Sequence, residues 1–292
     1  MTAPSSRRRF LKLGSAAAAG GLAVAADAII YEPNHLALAR VEITLRRLPR
    51  ELDGFTIVQL SDFHYDPYFS VIPIEAAVRM SNELAPDLVV LTGDFVSTPV
   101  FEDLTTLRRA ARQADPCAHI LQSLRAPHGV WAVLGNHDGF SDPHHIQATL
   151  RRVGIQVLSN SAIPLARAGR RLWLAGVQDV LTGEADLGQA LAGIPVSDPV
   201  VLLAHEPDFA DVAARYPVDL QLSGHSHGGQ VRFPLLGAVY LPRLARKYPK
   251  GLRQIDRLTL YTNVGIGTLV VPVRWNCPPE VTLITLRACE EP

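Results

Sequence analysis

Cysteine is scarce in this sequence: Cys117, Cys277 and Cys289 are the only three in 292 residues, and no Cys-x-x-Cys pair occurs. A disulfide framework and a thiolate zinc site are both excluded by that count and spacing. Isolated thiols are expected, with a single Cys277 to Cys289 bridge as the alternative in an exported chain. Net charge is missing too, since 28 Lys and Arg balance 28 Asp and Glu. No global field holds such a chain on nucleic acid, and no nucleic-acid partner is expected. From about His35 onward there is no linker, low-complexity run or repeat, and nowhere a run of about 20 apolar residues suited to a bilayer span. With 48% hydrophobic and 19% charged residues, the composition is that of a globular protein rather than a disordered or fibrous one.

What is present begins with an address. Residues 5 to 12 read Ser-Ser-Arg-Arg-Arg-Phe-Leu-Lys, an Ala/Gly-rich apolar stretch follows from Leu13 to Ala26, and Ala23-Val24-Ala25 forms a small-x-small cleavage site. Ser6-Arg7-Arg8-Arg9-Phe10-Leu11-Lys12 resembles the twin-arginine export motif at every position. Residues 1–28 therefore read as a twin-arginine signal peptide and 29–292 as one domain; a general secretory signal or an uncleaved anchor is the alternative. The implied partner is the twin-arginine translocation machinery, and the implied location the periplasm or cell envelope. Cleavage after Ala25 removes four basic residues and no acid, leaving a mildly acidic chain with a net charge of minus four.

The remainder alternates β-rich and helical runs, an α/β pattern. Strands are predicted over Ala37–Leu45, Phe55–Leu60, Leu88–Leu91, Val130–Leu134, Ile155–Leu158, Leu172–Val177, Val200–Ala204, Leu220–Ser223, Leu258–Thr262 and Val281–Leu286. Helices are predicted over Ile74–Leu84, Leu104–Leu124, Pro143–Val153 and Asp208–Arg215, the third capped by Asp142, opened by Pro143 and ended by Gly154.

Five of these strands run into short loops carrying His, Asp or Asn: Ser61-Asp62-Phe63-His64, Thr92-Gly93-Asp94, Gly135-Asn136-His137-Asp138, His205, and Gly224-His225-Ser226-His227. Polar groups at the carboxyl ends of successive sheet strands converge on one rim. Asp62 and His64, two apart in extended backbone, would face one side and share a metal. A carboxylate such as Asp94 can bridge two cations, Asn136 offers a neutral oxygen, and His205, His225 and His227 offer imidazole nitrogens suited to Mn, Fe or Zn. Seven ligands over two sites, one shared, make a dinuclear centre.

In that order these blocks resemble the motif set of the calcineurin-like metallophosphoesterases. The match runs from Asp62 to His227, and Tyr261-Thr262-Asn263 and Cys277-Pro278-Pro279-Glu280 are similar to its exported bacterial branch of YaeI- and YkuE-type phosphodiesterases. The resemblance implies that Asp62, His64, Asp94 and His227 hold one metal, that Asp94, Asn136, His205 and His225 hold the other, and that His137 stands free over the substrate as catalytic residue. It also implies a four-layer α/β/β/α sandwich of two mixed sheets flanked by helices. The cofactors would be two divalent ions, Mn²⁺, Fe²⁺/Fe³⁺ or Zn²⁺, with Mn²⁺ favoured. Such a pair, about 3.5 to 4 Å apart, acidifies a bridging water for in-line attack on a phosphodiester or phosphomonoester. His137 would then stabilise charge or protonate the leaving oxygen. Asp138 orients a neighbour or caps its loop; the sequence leaves both open.

Plainer readings hold elsewhere. His35, His119, His128, His144 and His145 have no matching partners, Asp179 suits a turn better than a support for the metals, and Gly265-Ile266-Gly267 lacks the third glycine of a dinucleotide fingerprint and reads as a turn. Gly224-His225-Ser226-His227-Gly228 matches the G-x-S-x-G elbow of serine hydrolases, yet no histidine follows His227 to serve as base. A metal-binding module without turnover would have no use for His137. Between Val231 and Trp275, apolar residues (Phe233, Leu235, Leu236, Val239, Tyr240, Leu241, Leu244) mix with Arg232, Arg243, Arg246, Lys247, Lys250 and Arg253. That mix suits peripheral contact with anionic membrane lipid, or a packing hairpin with a solvated basic rim. Within the branch, resemblance extends to pyrophosphohydrolases acting on a nucleotide-linked lipid of the UDP-diacylglucosamine type, the alternative to general phosphoester hydrolysis.

Overall fold

Residues 6–98 and 103–289 are described by the structure, a computed structural model. Helix α1 (Ser6–Ala26) spans the Ala/Gly-rich N-terminal segment; the side chains of residues 6–11, which carry the arginine motif, lie outside the described residues. Among the described residues no helix is long and apolar enough to cross a membrane. Residues 27–34 already pack on the body: Ala28 and Pro33 are buried, the Ala28 carbonyl accepts the Arg274 N–H at 2.9 Å, and the Glu32 carboxylate accepts the N–H groups of Asn276 and Cys277.

The first half of the chain contributes β1 (Ala37–Leu45), β2 (Thr56–Leu60), α2 (Val71–Glu83), β3 (Leu88–Leu91), α3 (Leu104–Ala111), α4 (Ala114–Leu121), β4 (Val130–Ala132), α5 (Asn136–Ser141), α6 (Pro143–Arg152) and β5 (Gln156–Val157). The second contributes β6 (Ser161–Arg167), β7 (Arg170–Gly176), α7 (Leu187–Ala190), β8 (Val200–Leu203), α8 (Ala210–Ala213), β9 (Leu220–Ser223), the short pair β10 (Arg232–Phe233) and β11 (Gly237–Ala238), β12 (Gly251–Ile255), β13 (Leu258–Thr262) and β14 (Glu280–Ala288). Two six-stranded sheets result, in the orders β1-β14-β2-β3-β4-β5 and β12-β13-β9-β8-β7-β6. Both are mixed: β2, β3 and β4 are mutually parallel, as are β7, β8, β9 and β13, while β14 pairs antiparallel to β2, and β6 and β12 antiparallel to their neighbours.

Side-chain alternation along the central strands builds the layers. Ile57, Leu88 and Val90 face the second sheet and meet Val201, Leu203, Leu220 and Leu222 there. Their neighbours Val58, Val89 and Leu91 face outward onto Ile74 of α2, Leu121 of α4 and Leu150 of α6. On the far side Val200, Leu202 and Leu260 pack on Leu187 of α7 and Ala213 of α8. Strands covered on both faces carry continuous apolar runs, which is why β3 and β8 read as Leu-Val-Val-Leu and Val-Val-Leu-Leu. The architecture is the four-layer α/β/β/α sandwich.

Several sequence expectations need correction. The helix expected over Leu104–Leu124 is two, because Pro116 near the start of α4 lacks an N–H for the residue 112 carbonyl and its ring crowds that turn. The helix over Asp208–Arg215 shrinks to a 3₁₀ turn at Pro207–Phe209 followed by α8. Strands β6 and β12 escaped prediction; they are the two edges of the second sheet, where one side faces solvent and even Pro164 is tolerated. The three cysteines are free, so the Cys277 to Cys289 bridge does not form. Between the two runs β14, whose nine residues span about 30 Å.

Candidate metal centre

All five loops lie at the carboxyl ends of β2, β3, β4, β8 and β9, three from one sheet and two from the other. The backbone there is unusual. Asp62, His64, Asp94, His225 and His227 all have positive φ, between 41° and 65°. Asp and His are among the few non-glycine types that enter this region with any frequency, so residue chemistry and backbone shape agree. The expectation that Asp62 and His64 meet by strand alternation is therefore corrected: left-handed turns, not extended backbone, aim them.

The loops bring the predicted residues together in three groups linked through His64 and Asp94. Asp62, His64 and His227 have ligand atoms within 4.8 Å of one another, as do Asp94, His205 and His225, and as do His64, Asp94 and His137. Asp94 Oδ2 lies 3.5 Å from His64 Nε2 and 3.1 Å from His205 Nε2, one imidazole from each of the first two groups, while Oδ1 accepts the His137 N–H at 2.9 Å. Asp62 accepts the His225 N–H at 2.9 Å and stands 3.5 Å from His227 Nε2. Asn136 joins Asp94, His137, His225 and His227 on the wall of one cavity.

Hydrogen bonds on the far side of each ring set the tautomers. His205 Nδ1 donates to the Thr92 carbonyl at 2.6 Å, which leaves the Nε2 lone pair facing Asp94 when the ring is neutral. His225 Nε2 donates to the Arg243 carbonyl at 2.8 Å, turning Nδ1 inward. His137 is the reverse: its Nδ1 accepts the Thr98 N–H at 3.0 Å, so the neutral ring carries its proton on Nε2.

Burial pulls the His64 imidazole down to about 3 and His225 to about 4, so both are neutral bases. Burial pushes Asp62 up to about 6, with the His205 charge opposing it and Asp94 reinforcing it. Burial would raise Asp94 as well, but the imidazoles of His205, His137 and His64 hold it well below the usual carboxylate range.

This donor set fits a pair of divalent cations. Asn136 Oδ1 and His205 Nε2 are buried without a hydrogen-bond partner, and His64 Nε2 and His227 Nε2 stand 2.9 Å apart. Carboxylate, amide oxygen and imidazole together suit Mn, Fe or Zn.

Sequence reasoning missed several supporting residues. Asp138, left open between two roles, performs both: Oδ2 accepts the N–H groups of Asp94 and Gly135, and Oδ1 those of Phe95 and Val96, tying the Asp94 loop to the start of α5. Gly265 and Gly267, read only as a turn, form the cradle under Asp62. Gly267 donates to the Asp62 carbonyl at 2.7 Å; a Cβ at 265 would fall 2.7 Å from Asp62 Cβ, and one at 267 would fall 2.1 Å from the Phe63 oxygen. Arg274 is fully buried with no carboxylate partner among the described residues and donates instead to the carbonyls of Val264, Gly265, Gly267 and Cys277. Its only sequence signal is a charge inside an apolar segment.

The plainer readings can also be placed. Ser226 Oγ accepts the Gly228 N–H, and no histidine hydrogen-bonds to it among the described residues. His145 lies against Asp115, outside the centre, and Asp179 Oδ1 accepts the Leu181 and Thr182 N–H groups in a turn.

Residues 55–229 match the family described as calcineurin-like phosphoesterase. The chain is 33% identical over 290 residues to the uncharacterized metallophosphoesterase YkuE of Bacillus subtilis, covering 97% of this chain and 98% of that one. To the phosphodiesterase YaeI of Escherichia coli it is 34% identical over 235 residues, 80% and 82% of the two chains. To the UDP-2,3-diacylglucosamine pyrophosphatase LpxG of Chlamydia muridarum it is 26% identical over 322 residues, 89% and 92%. With its Asp, His and Asn loops gathered at the carboxyl ends of two mixed sheets, the chain belongs to the calcineurin-like metallophosphoesterases, hydrolases of phosphoester bonds.

Proposed function

We propose that this chain hydrolyses phosphodiester or phosphomonoester bonds at a two-metal centre, with Asp62, His64, Asp94 and His227 holding one cation and Asp94, Asn136, His205 and His225 the other. The observation that carries this reading is Asp94 Oδ2, within 3.5 Å of imidazoles from both groups. Bound there, two divalent cations supply an acidified water for in-line attack and neutralise charge on the phosphoryl oxygens. The protein fixes the rest. His205 and His225 are held in ligating tautomers by the Thr92 and Arg243 carbonyls. His137, its Nδ1 tied to Thr98, presents Nε2–H towards the leaving oxygen as a general acid. Turnover of a phosphomonoester, an aryl phosphodiester and a lipid-linked pyrophosphate by metal-reconstituted protein tests the assignment; failure on all three, with metal bound, overturns it. A pyrophosphohydrolase acting on a nucleotide-linked lipid is the second reading, favoured by the similarity to LpxG.

The signal sequence supports export by the twin-arginine machinery to the periplasm or envelope. Folding before export would load Mn²⁺ in the cytosol, away from tighter-binding Cu and Zn. Replacing Arg7 and Arg8 by Lys should hold the precursor inside the cell; normal export of that variant would point to the general secretory route. Peripheral contact with anionic lipid is also proposed, and Arg243 suits it, having no ion pair among the described residues. Lys247 suits it less, because its ammonium is taken by Asp211 at 2.8 Å. Co-sedimentation with anionic vesicles, lost in an Arg243→Gln, Arg246→Gln variant, is the test; binding indifferent to anionic lipid refutes it.

A further inference from the structure

We propose that the preferred substrate is a phosphodiester with one hydrocarbon arm and one polar arm, each lying in its own cleft; this rests on the two-metal reading above. Two cavities meet at His137. The larger, about 780 Å³, leaves the metal ligands and runs over Leu181, Val231, Phe233, Val239, Tyr240 and Leu269. The smaller, about 560 Å³, has the polar side chains of Asp66, Ser97, Thr98 and Gln113 beside His64 and Tyr65, together with apolar Pro67, Phe69 and Pro272. Both volumes are in the range of small-molecule sites.

Beyond the ligands, the larger cleft has little with which to read a sugar or a base. Gln230 spends its amide on Leu269, accepting that residue's N–H at 2.5 Å and donating to its carbonyl at 3.1 Å. Ser226 Oγ is taken by the Gly228 N–H. Arg243 and Tyr240 are the other polar side chains of this lining and have no side-chain hydrogen bond among the described residues, but the remaining wall of Leu181, Val231, Phe233, Val239, Leu269 and Val271 is apolar, and a hydrocarbon chain is the partner that stretch favours.

The ridge between the clefts carries its own sign of function. Val270 is 83% exposed with φ of 66°, and the Val271 N–H donates across it to the Leu269 carbonyl at 2.7 Å. A γ-turn centred on a β-branched residue is rare. Here it holds an apolar side chain at the mouth, near exposed Phe69 on one side and exposed Tyr240 on the other. Such outliers cluster at ligand clamps.

The test uses the mature, metal-loaded protein and p-nitrophenyl phosphodiesters of n-alkanols from methyl to decyl, kept below their micellar concentrations. Each CH₂ that enters the cleft should lower KM about fourfold, the equivalent of about 0.8 kcal/mol, with kcat nearly constant, until the chain reaches the open rim. Val239→Asn and Tyr240→Ser, at exposed positions that do not threaten folding, should flatten that slope. Calorimetric titration of the metal-free protein with n-alkyl phosphonates gives a readout independent of turnover, and affinity should rise with chain length. Turnover of every ester at one KM, with no chain-dependent binding, overturns the hydrocarbon subsite and leaves the phosphoesterase reading standing. Chain-dependent binding without any turnover overturns the latter and keeps the subsite. Presenting the decyl diester diluted in phosphatidylcholine vesicles separates the sources: hydrolysis there identifies bilayer lipid, and hydrolysis of the monomer alone a dispersed amphiphile.

Discussion

Replacing Asp138 isolates the part of the centre that is built from backbone. Its side chain is fully buried, and its two oxygens accept four N–H groups, from Asp94, Phe95, Val96 and Gly135, at 2.9 to 3.2 Å. A buried donor left without a partner costs about 1–3 kcal/mol, so Asp138→Ala exposes the fold to a loss of about 4–12 kcal/mol. Water entering the gap brings the figure towards the lower end, about 4–6 kcal/mol, still a large share of the roughly 5–15 kcal/mol that holds a domain together. Asp138→Asn is the finer probe. Its amide oxygen can keep one pair of N–H groups, but its NH₂ must face the other pair, whichever way it is flipped, so about 2–4 kcal/mol should be lost. Because two of the four donors are the amides of Asp94 and its neighbour Phe95, the bridging carboxylate should also drift, and bound metal should fall with stability. Urea unfolding of the metal-free protein gives the first quantity, and elemental analysis after dialysis gives the second. An Asp138→Asn protein within about 0.5 kcal/mol of the parent, with its full metal content, would refute the positioning role.

Asp94→Ala should cost more metal than any other single ligand change, since its Oδ2 lies within 3.5 Å of both His64 and His205 and the two-metal reading assigns it to both sites; a full complement in the variant refutes the shared position. His137→Ala should keep its metal while turnover drops about 10²- to 10⁴-fold, more for basic leaving groups; equal loss on all leaving groups, or loss of metal, contradicts the general-acid role. If Asp62 ligates a cation as proposed, metal uptake should weaken in mild acid, because that carboxyl is raised to about 6 by burial and must lose its proton to bind, so below that pH each unit costs about tenfold in affinity. Buffer-dependent calorimetry at pH 5 and pH 7 measures the released proton, and pH-independent binding over that interval would count against Asp62 as a ligand.

How much was legible before the structure depended on where the information sits. The residues that gather at the centre were readable because each lies next to an apolar strand in sequence, so strand and chemistry appear in one short window, as in Leu88–Leu91 followed by Thr92-Gly93-Asp94. The central strands were readable for the same reason, being buried on both faces. Edge strands β6 and β12 were not, because half-exposed residues such as those of Gly251–Ile255 carry no continuous apolar signal. Least legible were the residues that act from a distance. Arg274 stands 212 positions from Asp62, and only folding shows that the carbonyls it gathers belong to the glycine loop beneath that carboxylate. The Asx-like positive φ values escaped as well, although the prevalence of Asp and His was itself a clue to them.

The arrangement also says what metal binding adds. Asp62, His64, Asp94 and Asn136 belong to loops of the first sheet, and His205, His225 and His227 to loops of the second, so cations held by both sets would pin the sheets together at one end. That end is already stitched by the protein. Gln59 of β2 reaches across to donate to the Ser223 carbonyl of β9 at 2.9 Å and also bonds Thr92; His205 donates to the Thr92 carbonyl, and the His225 N–H to Asp62. Beneath these bonds Ile57, Leu88, Leu203 and Leu222 close the space between the sheets without any cation. The strained turns are therefore held by packing and hydrogen bonds in advance, and metal meets ligands whose ordering entropy has been settled by folding.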